Sequence, residues 1–139
     1  MAAPGVLDEL RSLVQSVDFE ADSYKLTQRW VSSGFGAETI EPILQFIEEN
    51  PSIDFGSPGP LVHFIERFYG AEYKEKLLAS LDRKPTGHTA WMMNRVINGT
   101  HEVNLKYSYI AALKRARLHP DTDWDTRKQI EQFLEALSA

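Results

Sequence analysis

Apolar residues recur every three or four positions along nearly the whole chain, and glycine or proline cuts the pattern before any run becomes long. That spacing matches a helical turn of about 3.6 residues and not the two-residue alternation of a half-buried strand. The first run, residues 4–17, places Val6, Leu7, Leu10, Leu13, Val14 and Val17 on one stripe. Further runs follow over about 22–33, 37–50, 57–70, 71–84, 86–99 and 103–118, and an eighth follows Pro120-Asp121. Their punctuation is chemical. Gly34 stands where a left-handed cap belongs, Gly70 and Gly99 end further runs, and Ser57-Pro58 reads as an N-cap with proline in the first turn. The stretch from Pro51 to Gly59 is the one substantial loop, and its prolines and glycines argue against a strand.

The pattern predicts an all-α fold of about eight helices, with no strand required. Short connections favour antiparallel neighbours, so we expect stacked helical hairpins in a HEAT-like, α-solenoid-like single domain over residues 1–139. Within it, residues 1–50 form acidic N-terminal helices and residues 57–139 a helix-pair stack. A faint echo at an offset of 29 supports stacking: Val62 aligns with Trp91, Phe64 with Met93, Phe68 with Ile97 and Gly70 with Gly99. Its identity is low, and two ordinary helices produce such an echo by chance about as often.

Composition removes several alternatives. No apolar stretch approaches the roughly 20 residues of a membrane span, and the start lacks a basic, then apolar, signal segment. The sequence has no cysteine, so disulfides and thiolate metal sites are excluded, and a cytoplasmic location is the default expectation. Net charge is −5 but uneven: eleven acids face four bases up to Gly70, and nine acids face eleven bases beyond it. An acidic front half repels phosphate backbones and attracts basic partners, so nucleic acid is not an expected ligand.

Little in the sequence points to catalysis. Phosphate-binding glycine loops, nucleophile motifs and metal-ligand spacings are missing. His63 and Glu66 share a helical face, but a histidine beside a surface carboxylate is ordinary. Arg83 and His88 fit a loose Arg-x4-His spacing of one class of helical ribonucleases, with Pro85 and Gly87 breaking the segment between them. We therefore expect no catalytic residue, no metal and no cofactor. Cations late in the seventh helix, Lys114, Arg115 and Arg117, suit the negative pole of its dipole.

The acidic residues suggest recognition instead. Glu41 and Glu48, with Gln45 between them, are expected on one face of the third helix opposite its apolar stripe, flanked by Glu38 and Glu49, with Asp54 extending the patch. Asp18, Glu20 and Asp22 make a second group. Like charges at helical spacing are mildly destabilising, which a cationic partner would offset, though solubility alone also produces such faces. Tyr69 and Trp91 are the aromatic anchor candidates, because Tyr and Trp dominate binding hot spots.

The stretch from Phe55 through Ser57-Pro58-Gly59-Pro60-Leu61-Val62-His63-Phe64-Ile65 to Glu66, followed by Arg83-Lys84-Pro85-Thr86 and by Trp91-Met92-Met93-Asn94-Arg95-Val96-Ile97-Asn98-Gly99, resembles small helical immunity proteins of bacterial polymorphic-toxin and contact-dependent inhibition systems. The resemblance covers about residues 50–118 and rests on overall texture rather than a diagnostic motif. It implies a non-enzymatic inhibitor that occludes the active site of a cognate, basic toxin domain, often a nuclease. Two alternatives stay open: a scaffold or adaptor with an apolar peptide groove, and a helical ribonuclease. A deep polar cavity joining histidine, arginine and carboxylate would mark an enzyme.

Overall fold

A computed structural model describes residues 5–138, and every regular element among them is helical. The helices are α1 (Val6–Arg11), α2 (Phe19–Ser32), α3 (Ile40–Glu49), α4 (Pro60–Glu66), α5 (Ala71–Arg83), α6 (Gly87–Asn98), α7 (Val103–Leu118) and α8 (Trp124–Ser138), with one 3-10 turn at Ala37–Thr39. The all-α expectation and its helix count hold among these residues. The chain divides within α5 into two compact units, Met1–Lys76 and Leu77–Ala139.

In the first unit the main pairings skip a neighbour: α1 packs on α3, and α2 packs on α4. Ile40, Ile43, Leu44, Phe46 and Ile47 of α3 are all buried, because α3 carries apolar side chains around most of its circumference. Phe19 stacks on Phe46 with centroids 5.7 Å apart, and Phe55 meets both rings edge-on, which ties the loop after α3 to the start of α2. Such ring pairs add about 0.5–1.5 kcal/mol each beyond burial. Trp30 is buried and donates its Nε1–H to Glu9 at 3.2 Å, so α2 is also pinned to α1.

Two boundaries differ from expectation. The first helix stops at Arg11, and three-residue turns carry the chain through Leu13, Val14 and Ser16. Serine hydroxyls divert the backbone there: Ser12 donates to the Glu9 carbonyl at 2.6 Å and Ser16 to Asp22 at 2.6 Å. Val14 and Val17 consequently leave the stripe and are exposed. The fourth helix begins at Pro60, not Pro58, because Gly59 adopts φ 95° and ψ 171°, outside the helical region. Ser57 therefore caps nothing, and α4 is shorter than the α6 segment with which the offset-29 echo pairs it.

In the second unit sequence neighbours are neighbours in space: α6 packs on α7, α7 on α8, and α8 returns to α6. The start of α6 is fixed by a capping box. Thr86 accepts from the Thr89 N–H at 3.0 Å while the Thr86 N–H reaches the Thr89 hydroxyl at 3.2 Å. Thr122 donates to the Ala116 carbonyl and Arg127 donates to the Arg117 carbonyl at 3.0 Å, which locks the α7–α8 corner. Leu105 and Trp124 are exposed, as Val103, Tyr107 and Leu118 are. Trp124 stands at the first position of α8, where the helix has no preceding turn to fold it inward; Lys128 lies over its ring at 5.5 Å. Among the described residues no helix is long and apolar enough to cross a membrane.

Candidate functional site

The acidic side of α3 is largely engaged by the first unit's own groups. Arg11 grips Glu49 with both ends of its guanidinium, Nε to Oε1 at 3.0 Å and Nη2 to Oε2 at 2.6 Å. This bidentate bond, joined by Asp8, raises the Arg11 pKa above its already high ordinary value. Gln45 donates to the same Glu49 carboxylate at 3.3 Å, and Lys76 stands 3.2 Å from Glu41. Glu38 turns back to accept from the Gly36 N–H at 3.0 Å, and that backbone bond holds its carboxyl below the usual range. Glu48 is only 6% exposed, which corrects its expected place on an outward face. It lies four positions after buried Leu44, so it shares the edge of the apolar stripe.

The remaining residues singled out from sequence also separate. Asp54 is exposed and accepts from the Gly56 N–H at 3.0 Å in a tight turn. It lines a hollow of about 320 Å³ with Asp18 and Glu20, so it belongs with the second acidic group. Tyr69 is 46% exposed, tilts against Tyr73 at 5.3 Å and carries Lys74 over its face at 4.8 Å. Trp91 is half-buried, with the His88 ring edge-on at 5.7 Å. Arg83 ends α5 on the surface, and His88 lies in the first turn of α6.

The feature that periodicity alone did not isolate is a cleft of about 590 Å³ between α2 and α4. One wall is the face of α2 turned away from Leu26 and Trp30: Glu20, Tyr24, Thr27 and Val31 follow one another at helical spacing. Pro60, His63, Phe64 and Arg67 form the other wall at the same spacing on and just beyond α4. Buried Thr27 and Phe64 make the floor, whereas Tyr24 is 57% exposed and Val31 39% exposed along the rim. The signal was present in Tyr24 and Val31, two apolar residues off the α2 core stripe.

Charge along the cleft is polarised. Glu20 stands at one end beside Asp18, which caps α2 by accepting from the Ala21 N–H at 3.1 Å. Arg67 stands towards the other end, its guanidinium 5.6 Å from the centroid of Phe64 and 5.9 Å from that of Phe68. This double cation–π contact holds the cation against the apolar floor. His63 lies 3.7 Å from the Glu66 carboxylate. Glu20, His63 and Arg67 thus line one cleft, but among the described residues neither His63 nor Arg67 forms an ion pair with Glu20. The cleft is an open groove of mixed polarity and not a deep polar cavity.

No protein-family model, curated protein or solved structure matches the chain. Among the described residues no cluster of three or more histidine and carboxylate groups could hold a metal ion.

Proposed function

We propose that the chain is an immunity protein. It binds a cognate, basic bacterial toxin domain, such as a nuclease, in the cytoplasm of the producing cell and neutralises it by covering its active site. The observation that carries this reading is the α2–α4 groove, where an exposed tyrosine and an exposed valine rim a cleft with a buried aromatic floor. Aromatic anchors beside a concave surface with an apolar floor and a polar rim are the usual centre of a protein-binding face. Charge supports the choice of partner: the first unit carries thirteen acids and six bases, a formal −7 that speeds encounter with a basic domain. The contacts on α3 move the expected interface. With Glu41 and Glu49 paired and Glu48 buried, the groove and the neighbouring Asp18, Glu20 and Asp54 are the docking face in this reading.

The test is genetic and then physical. The reading places the cognate toxin domain in the reading frame immediately upstream, and that domain is induced in cells with and without the protein. Protection from growth arrest, with a stoichiometric complex from the purified pair, is expected. Continued arrest together with no complex would remove the reading.

One observation favours a second reading: a carboxylate, an imidazole and a guanidinium share the groove, the components of acid–base hydrolysis. It separates cleanly from the first. An enzyme that uses His63 as its base turns over a hydrolysable substrate and loses that turnover in His63→Ala, whereas an inhibitor shows no turnover in either protein.

A further inference from the structure

The α2–α4 groove has unlike ends and a defined length, and these identify its occupant more narrowly; this inference rests on the reading that the groove is a docking face. The two walls run in the same direction. Pro60, which starts α4, shares a hollow with Glu20 and Tyr24 near the start of α2. At the opposite end, a Cβ on Gly36, just beyond α2, would lie 4.0 Å from the Phe68 ring, just beyond α4. From Glu20 to Val31 the wall rises roughly 16 Å at about 1.5 Å per residue, the length of about three helical turns.

We propose that the groove takes a single α-helix of the protein partner, running antiparallel to α2 and α4, with a basic last turn against Glu20 and an acidic first turn against Arg67. Three considerations lead there. Glu20 and Arg67 have no side-chain ion pair among the described residues, so each charge is available to a partner. A helix carries acids most favourably in its first turn and bases in its last, and that polarity fits the groove only in the antiparallel sense. The walls are helices whose backbone groups are already bonded, so an extended segment would find no ladder to join, while a helix brings its own hydrogen bonds. Tyr24 and Val31 then meet the apolar stripe of the incoming helix, over the floor that Phe64 closes.

The probe is a stapled helical peptide of about four turns with two aspartates in its first turn, leucines on one face, two lysines in its last turn and a nitroxide at its N-terminus. It is titrated into full-length 15N-labelled protein. Shifts confined to α2 and α4, with paramagnetic broadening at Arg67 and Phe68, are expected. Tyr24→Ala, and separately a peptide whose lysines are replaced by glutamates, should each weaken binding about tenfold or more. No binding, shifts outside the groove, broadening at Glu20 or undiminished affinity for the all-acidic peptide would each overturn the proposal. Protection against the upstream toxin domain is scored independently. If protection persists while the peptide fails, the inhibitor reading stands and only the helical occupant is lost; if protection also fails, both fall.

Discussion

A methyl group placed on Gly59 would lie 1.6 Å from the Phe55 carbonyl oxygen, and the residue also holds φ at 95°. No L side chain tolerates both conditions, so Gly59→Ala should lower stability by about 2–3 kcal/mol in urea denaturation. A loss under about 0.5 kcal/mol would show that the turn adapts. Glu38 makes a different prediction. Its folded pKa is depressed by the Gly36 N–H, so its stabilising contribution is present above the usual carboxylate range and fades as pH falls through the lowered value. Glu38→Gln should therefore be less stable than wild type at neutral pH, with the gap closing in thermal melts taken at acid pH below the ordinary carboxylate range. A gap constant with pH would exclude that cause. At this scale the sequence was legible only in part. Residue type marked Glu41, Glu48 and Glu49 as surface acids, but which of them met a cation, a lysine or the interior depended on Arg11, distant in sequence, and on how far round α3 is covered.

Elements were easier to read where local chemistry is self-sufficient. Residues 103–118 were expected as one helix and form one, and α6 is capped by Thr86, where the expected run over about 86–99 opens. Thr86→Ala should cost about 1 kcal/mol, read as a lower urea midpoint at unchanged slope. An unaffected midpoint would mean that the buried Thr89 hydroxyl alone holds the helix start. Phe46→Ala removes the ring on which Phe19 and Phe55 converge and should cost about 3–5 kcal/mol. A cost below about 1.5 kcal/mol would mean that the first unit is held elsewhere. Periodicity failed where side chains competed with the backbone. The valines at 14 and 17 continued the apolar rhythm, but Ser12 and Ser16 offered hydrogen bonds that end α1 early. Periodicity also does not distinguish a stripe facing a core from one facing a groove, so it does not mark Tyr24 and Val31 on the outer face of α2 as groove residues.

Across the whole molecule, acids and bases are divided along the chain: the first unit carries a formal −7, while the second has seven acids and nine bases. A basic partner is steered towards the first unit at long range and held by short-range contacts in the groove. Its association rate should fall steeply as salt rises from about 50 to 500 mM, while dissociation changes little. A salt-independent association rate would detach the charge from function. Holding the partner is the role of Tyr24, which lies outside the core and is not needed for the fold. The most direct test is calorimetric titration of the upstream toxin domain into wild-type protein and Tyr24→Ala, with circular dichroism confirming equal folding. We predict at least about thirtyfold weaker binding for the variant. Equal affinity for the two proteins would contradict the assignment of the α2–α4 groove as the docking face.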